Sequence, residues 1–326
     1  MKLRYKFLAS LLLGLVILWL IFLRLDLQSV SEAIKNANPL FLLAAIFFLF
    51  CSIGARVITW GILLNSKEPI KSRYLLSTML MGYFVNIFIP ARFGEFVRCY
   101  ALSRKTTLPI TYILGTVVIE KVLDIGILLA FFMVFCLFFN FAPWLVNASY
   151  ILLIIVIAFT LFLILSIRYT DRIIGPISGI LKKFPRFSSS FPVDVWLRST
   201  ILGFQTLQNP VKLLKALVWT LISWIAGLST SACVVLSLGI EPWLPSALLA
   251  LVITNLGMLI PVTPGYIGIY QYMALLGLGM LGVNSTLAMS YGIISYIIIF
   301  GTFTIAGGIA FWISGIDIMD LYNKQK

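Results

Sequence analysis

Long apolar runs dominate this chain, falling at about 7–24, 39–64, 74–90, 108–139, 148–167, 213–238, 244–262, 264–282 and 286–313. Some twenty apolar residues in a helix cross the roughly 30 Å hydrocarbon core of a bilayer, and only there can such a run be apolar on every side. The chain is 61% hydrophobic and 11% charged, with mean hydropathy +1.07; soluble domains are about a quarter charged. The reading is an all-α integral membrane protein.

A cleavable signal peptide is one reading of the start, where Lys2, Arg4 and Lys6 precede Phe7–Leu23. That run is too long for a signal core and no small-residue cleavage site follows, so it reads as a first membrane helix with its N-terminus inside. Asp26–Asn38 has Leu27, Val30, Ala33 and Ile34 at helical spacing, which predicts a short helix lying on the membrane surface. Cys51, Cys99, Cys136 and Cys233 are widely separated, as small apolar residues in helices are. With no histidine and no paired cysteines, no metal or other cofactor is implied.

A net charge of +13 suggests nucleic acid, but its placement points to topology instead. Cytoplasmic loops are enriched in Lys and Arg. The N-tail, the 65–73 loop, 98–105, 168–215 and the C-tail together hold nineteen of the twenty-four basic residues. The connections at 140–147 and 239–243 hold none. A simple crossing at 74–90 would put one of two basic loops outside. The conflict disappears if 74–104 dips in from the cytoplasm and returns, and if 244–282 does the same from the other face. The expected fold is six full transmembrane helices plus two opposed re-entrant helical hairpins in an inverted pseudo-repeat. It forms one polytopic domain over 1–326, with halves 1–167 and 211–316 and a cytoplasmic linker at about 168–210. Both termini are expected inside the cell membrane, and the linker is expected to hold short amphipathic helices.

The two tips share a pattern. One reads Ile89-Pro90-Ala91-Arg92-Phe93-Gly94 and the other Ile260-Pro261-Val262-Thr263-Pro264-Gly265, each with an asparagine just before, Asn86 and Asn255. Proline removes a backbone donor and glycine admits unusual dihedrals, so Pro90, Gly94, Pro261, Pro264, Gly265 and Gly268 are the expected helix breaks. Broken helices at membrane depth persist where protein or water satisfies the freed backbone, and paired breaks in two halves are a pointer to a transporter site.

Charge in the membrane is the second pointer. Arg56, Arg92, Glu95, Arg98, Glu120, Lys121 and Asp124 lie in or beside apolar segments of the first half. At about 2.5–3.5 kcal/mol each, their unpaired insertion would cost on the order of 20 kcal/mol, above a typical domain's whole stability. They must pair or line a wet cavity. Arg92, Glu95 and Arg98 recur at i, i+3, i+6 with net charge +1, which suits an anionic head group held by guanidinium forks. Glu120 and Asp124 share a helix face, with Lys121 beside Glu120. Two readings stay open for Glu120 and Lys121. Val122–Phe139 could span alone and leave them solvated at the interface, or they sit at membrane depth. Arg56 is equally open between a structural partner for a carboxylate and a site residue.

At these residues the chain resembles a known family. Asn86–Lys105 (NIFIPARFGEFVRCYALSRK), Val117–Gly126 (VVIEKVLDIG) and Ile260–Gln271 (IPVTPGYIGIYQ) are similar to the flippase-like membrane domain of lysylphosphatidylglycerol synthases. The resemblance implies a polytopic domain that moves lipids with polar head groups between leaflets. It places family positions on Pro90, Ala91, Arg92, Gly94, Glu95 and Arg98, and on Glu120, Lys121 and Asp124. Fused members carry a C-terminal aminoacyl-transferring domain, whereas this chain stops about a dozen residues after its last helix, so it is not expected to make an aminoacyl lipid by itself. Many members place a glutamate near the second element, where this chain has Tyr270-Gln271.

The expectation is therefore a lipid flippase or scramblase and not an enzyme. Its ligand would be a membrane lipid: a phospholipid, a glycolipid or a polyprenyl-phosphate-linked one. Head-group contacts are expected from Arg92, Glu95, Arg98, Glu120, Lys121, Asp124 and Asn86, with Thr263, Tyr266, Tyr270 and Gln271 on the second element. No GxxxxGK[ST] loop is present for direct ATP coupling. The alternatives are an intramembrane lipid or glycosyl transferase using Glu95, Glu120 or Asp124, and a membrane partner subunit of a separate lipid-modifying enzyme.

Overall fold

The computed structural model describes residues 27–65, 69–89, 92–137, 143–181, 193–258 and 263–314. The expected first span at 7–24 lies outside these residues, as do Pro90, Ala91 and Pro261 at the two tips, the FPRFSSSFP stretch and the C-tail. The described residues are helical, with short connections and no strand.

The elements are α1 (Leu27–Lys35), α2 (Pro39–Leu64), α3 (Ser72–Phe88), α4 (Phe93–Ser103), α5 (Ile110–Cys136), α6 (Pro143–Arg168), α7 (Thr170–Leu181), α8 (Val193–Leu202), α9 (Pro210–Ser237), α10 (Trp243–Gly257), α11 (Ile269–Gly279), α12 (Ser285–Tyr296) and α13 (Thr302–Ser314). A π turn at Ile297–Gly301 joins α12 to α13 as one 30-residue helix. That helix, α2, α9 and residues 146–168 of α6 are each long and apolar enough to cross a membrane. α5 matches them in length, 27 residues, but carries Glu120, Lys121 and Asp124.

α2 and α9 begin in the same way. Asn38 and Asn209 are extended N-caps whose side-chain oxygens accept from Leu40 N and Lys212 N at 3.0 Å, and each precedes a proline in the first turn. Proline tolerates that position because its missing N–H has no partner there anyway. The two helices pack antiparallel. Asn38 N donates to Ser237 O at one end (2.9 Å), and Lys212 bonds the Asn65 side chain at the other.

α3, α4, α10 and α11 have 17, 11, 15 and 11 residues. At 1.5 Å per residue, an 11-residue helix spans about 16 Å, half a hydrocarbon core. Each forms a hairpin with its neighbour. Gly94 lies against Gly82 and Asn86, and Arg98 against Gly82, so α4 runs back along α3. Gly257 lies against Met273, and Gly277 against Ile253 and Leu249, so α11 runs back along α10. The contact at the first tip needs glycine, since a Cβ on Gly94 would fall 1.9 Å from Gly82 O.

The exterior fits a lipid environment. Leu43, Phe47 and Phe50 on α2, Ile151, Ile154 and Ile155 on α6, and Ile305, Ile309 and Trp312 on α13 are exposed. In water such a belt would be an aggregation surface. The short helix expected within 26–38 is present as α1, with Val30 buried, Ile34 half-buried and Gln28, Glu32 and Lys35 exposed. The 168–210 stretch contains α7 and α8 as expected, and α8 packs tightly on the bundle. A Cβ on Gly115 would meet Thr200 O at 2.3 Å, and Ile201 and Phe204 share a core with Leu63, Ile119 and Ala216.

Candidate functional site

Where α2 and α9 cross, Ser52 Oγ donates to Ser223 O at 3.0 Å and Ser223 Oγ donates to Ser52 O at 3.2 Å. These residues are 171 positions apart. The same interval separates Asn38 from Asn209, Gly94 from Gly265, and the first residues of α3 and α10. Only a residue close to a two-fold axis can bond its own counterpart reciprocally. Because the helices are antiparallel, that axis runs across them.

A cavity of about 270 Å³ straddles this axis. Its wall contains counterparts from both halves: Ser52 and Ser223, Arg56 and Gly227, Tyr83 and Thr254, Ile87 and Met258. The two halves of the wall differ in chemistry, with the charges on one side and hydroxyls and aromatic rings on the other.

The charges are held by pairing. Arg56 reaches Asp124 with both carboxylate oxygens at 2.9 Å, and Trp224 Nε1 donates to the same Asp124 at 3.1 Å. Arg98, 1% exposed, lies between Glu95 and Glu120: its Nε is 2.8 Å from Glu95 Oε2 and its Nη2 is 3.1 Å from Glu120 Oε2. Its guanidinium also stacks over Trp60 at 4.8 Å, and Trp60 is fixed in turn by donating to Thr116 Oγ1. Lys121 Nζ stands 3.3 Å from Glu95, 3.6 Å from Glu120 and 3.8 Å from Asp124. Three carboxylates thus share three cations, which is how buried charge is tolerated.

Glu120 is the eleventh residue of α5, about 15 Å from the helix start, and is 3% exposed. Glu120 is therefore buried inside the bundle, while Lys121 beside it is partly exposed on the cavity wall. Arg98 and Glu120 form a layer behind the cavity, whereas Arg56, Arg92, Glu95, Lys121 and Asp124 line it.

Arg92 has no carboxylate within ion-pair distance among the described residues. It takes a left-handed backbone (φ 55°), and its Nη2 donates across the bundle to Met258 O, just past the end of α10, at 3.0 Å. One guanidinium thus ties the first tip to the second. Asn86 Oδ1 accepts from Gly94 N at 2.7 Å and closes the first break, while Asn255 Nδ2 donates to Leu251 O within its own helix. The two asparagines share a place in the pattern and do different work.

At the second break Tyr266 (φ 59°) and Gly265 (φ 61°) are left-handed, and Tyr296 OH donates to Gly265 O at 2.9 Å. Pro264 is buried beside Gly265, and Gly268 (φ 83°) precedes α11. Tyr266 and Tyr270 line the cavity. Thr263 and Gln271 are buried off it and brace the turn: Thr263 Oγ1 donates to Ile267 O, and Gln271 Oε1 accepts from Gly268 N. Sequence reasoning did not single out Ser231, Tyr291, Ser295 and Trp224, which also line the cavity.

These features define a class: a multi-pass helical membrane protein with two facing helix breaks and a charged interior cavity between them. The chain matches the lysylphosphatidylglycerol synthase TM region family over residues 7–307 and belongs to that family. It is also 24% identical over 303 residues to a UPF0104 membrane protein of Methanothermobacter thermautotrophicus, covering 88% of this chain and 89% of that one.

Proposed function

We propose that the protein moves a lipid with a polar, phosphate-containing head group between the leaflets of the cell membrane, without catalysing a covalent step. The observation that carries this reading is the cavity on the pseudo-two-fold axis, bounded by both helix breaks and lined by Arg56, Arg92, Glu95, Lys121 and Asp124. Such a site can take a head group while the acyl chains stay in lipid. The α3–α4 and α10–α11 hairpins are then re-entrant from opposite faces, with six helices crossing fully, and the basic loops lie in the cytoplasm. Arg92 and Arg56 would engage the phosphate and the carboxylates would balance the surplus charge. The transferase alternative is less well supported, because Glu95, Glu120 and Asp124 are each already paired with a cation of the protein.

The test is leaflet exchange of a fluorescent phospholipid in proteoliposomes, read by dithionite quenching. Exchange well above that of protein-free vesicles, lost in Arg92→Gln with the fold intact, is expected. Exchange equal to protein-free vesicles, or a covalently altered lipid, would overturn the reading.

A further inference from the structure

The cavity's two halves differ in chemistry, and the difference specifies a ligand. On the first half, Arg56, Arg98 and Lys121 are matched by Asp124, Glu120 and Glu95. Arg92 is left over, so the cluster carries one net positive charge. Arg92 lines the cavity, and its hydrogen bond among the described residues goes to the neutral Met258 carbonyl. A guanidinium has five N–H donors, so Arg92 retains capacity for a bidentate anion. Every acidic group on this wall is already held by a cation, so nothing there welcomes a second positive charge.

Among the described residues, the second half has no ionisable acid or base on the wall beyond tyrosine hydroxyls. Where the first half has Arg56, the second has Gly227, and Tyr266 stands on the wall near the second break. Tyr270, Tyr291, Ser231, Ser295 and Thr254 add hydroxyls. Most donate inward: Ser231 to Ala247 O, Thr254 to Ala250 O and Ser295 to Tyr291 O. Ser231 Oγ also pairs with Tyr291 OH at 2.7 Å, and Tyr270 bonds Ser295 and Thr254. With two lone pairs per hydroxyl oxygen, one remains on each serine and threonine to accept from a ligand hydroxyl. The Tyr266 and Tyr270 rings, both packed against Phe300, line the cavity beside them. This is a surface for a neutral hydroxylated group.

Resting on the flippase reading above, we propose that the cavity selects a lipid head group with one net negative charge. Its phosphodiester lies against Arg92 and Arg56, its neutral polyol lies against the tyrosine and serine wall, and cationic and zwitterionic head groups are rejected. A cavity of about 270 Å³ is at the small end of ligand pockets, which suits a head group and leaves the tails outside.

Four fluorescent lipids separate the terms: phosphatidylglycerol (one negative charge, two hydroxyls), phosphatidylmethanol (one negative charge, no hydroxyl), phosphatidylcholine (zwitterionic) and lysyl-phosphatidylglycerol (net positive). In proteoliposomes, phosphatidylglycerol is expected to exchange at least tenfold faster than the last two, and severalfold faster than phosphatidylmethanol. Arg92→Gln, which should not exchange, is expected to retain all four lipids without charge preference in native mass spectrometry, and Arg92→Lys should keep much of the preference. Tyr270→Phe should narrow the gap between the two anionic lipids. Native mass spectrometry after incubation with an equal mixture of the four gives the same ranking without transport. If all four exchange equally fast and are retained equally, the flippase reading stands and the selectivity falls. If none exchanges but phosphatidylglycerol is retained selectively, the site stands and the flippase reading falls. Equal behaviour of phosphatidylglycerol and phosphatidylmethanol overturns the polyol wall alone.

Discussion

Ser52 and Ser223 each donate a hydrogen bond to the other's carbonyl across the closest approach of α2 and α9. Both are buried, and the contact lets two backbones meet without bulky side chains, as small residues do where membrane helices cross. Because the residues are counterparts, their substitutions should be equivalent. Ser52→Ala and Ser223→Ala are each expected to cost about 0.5–1.5 kcal/mol, with matching shifts in thermal midpoint in detergent. Ser52→Leu should cost more, about 1–3 kcal/mol, by forcing the helices apart. Clearly unequal alanine variants would argue against the symmetric crossing.

Arg56 and Asp124 test whether the charge cluster acts as a unit. Removing one partner strands the other, and for a well-buried pair that costs about 3–5 kcal/mol. Arg56 retains 20% side-chain exposure and Asp124 11%, so the lower part of that range applies. Asp124→Leu should destabilise strongly because it leaves Arg56 facing Lys121. The double variant Arg56→Leu with Asp124→Leu should recover at least half of the loss. A double-mutant cycle on thermal unfolding gives the coupling, and additive losses would mean the pair is not energetically joined.

How much of this was legible in the sequence varies from residue to residue. The IPxxxG repeat pointed to the regions where the α3–α4 and α10–α11 hairpins turn. However, Pro90 and Pro261 lie outside the described residues, and Gly94, expected as a break, lies inside α4, where its lack of a side chain allows the close approach to Gly82. Charge cost implied pairing among Arg56, Arg98, Glu120, Lys121 and Asp124, but not the partners: Arg56 and Asp124 are 68 positions apart, and nothing local encodes that meeting. Of the opposite wall, only Tyr266 and Tyr270 stood out, beside the second proline-glycine element. Ser231, Ser295 and Thr254 look like any hydroxyls in a membrane helix, most of which bond a carbonyl one turn back. The differing tasks of Asn86 and Asn255 were equally hidden, since both fit one pattern.

Gly94 tests the first tip. An added Cβ would lie 1.9 Å from Gly82 O and 2.6 Å from Asn86 Oδ1, and both neighbours are fixed by α3. Gly94→Ala should therefore separate α3 from α4 and remove the Asn86 bond to Gly94 N. A loss of about 2–3 kcal/mol is expected, as for overpacking, with poor recovery on size exclusion in detergent. Gly54→Ala is the control, since no neighbouring atom lies within 4 Å of where its Cβ would stand, and it should be neutral or slightly stabilising. A well-behaved Gly94→Ala protein would show that the close approach is dispensable.

The hairpins make a topological prediction that simple crossings do not. If α3–α4 enters and leaves by one face, Lys71 before α3 and Lys105 after α4 lie on the same side of the membrane. If α10–α11 enters from the opposite face, Glu241 before α10 and Asn284 after α11 share the other side. Each hairpin returns along itself, through Gly82 against Gly94 and Ile253 against Gly277, so its two ends stay together. Single cysteines at these four positions, in a background lacking Cys51, Cys99, Cys136 and Cys233, can be probed with a membrane-impermeant maleimide in sealed cells and in inverted vesicles. Lys71→Cys and Lys105→Cys should label only in inverted vesicles, and Glu241→Cys and Asn284→Cys only in sealed cells. Labelling of Lys71→Cys and Lys105→Cys from opposite sides would require α3–α4 to cross the bilayer, a distance that the roughly 16 Å of α4 cannot cover alone.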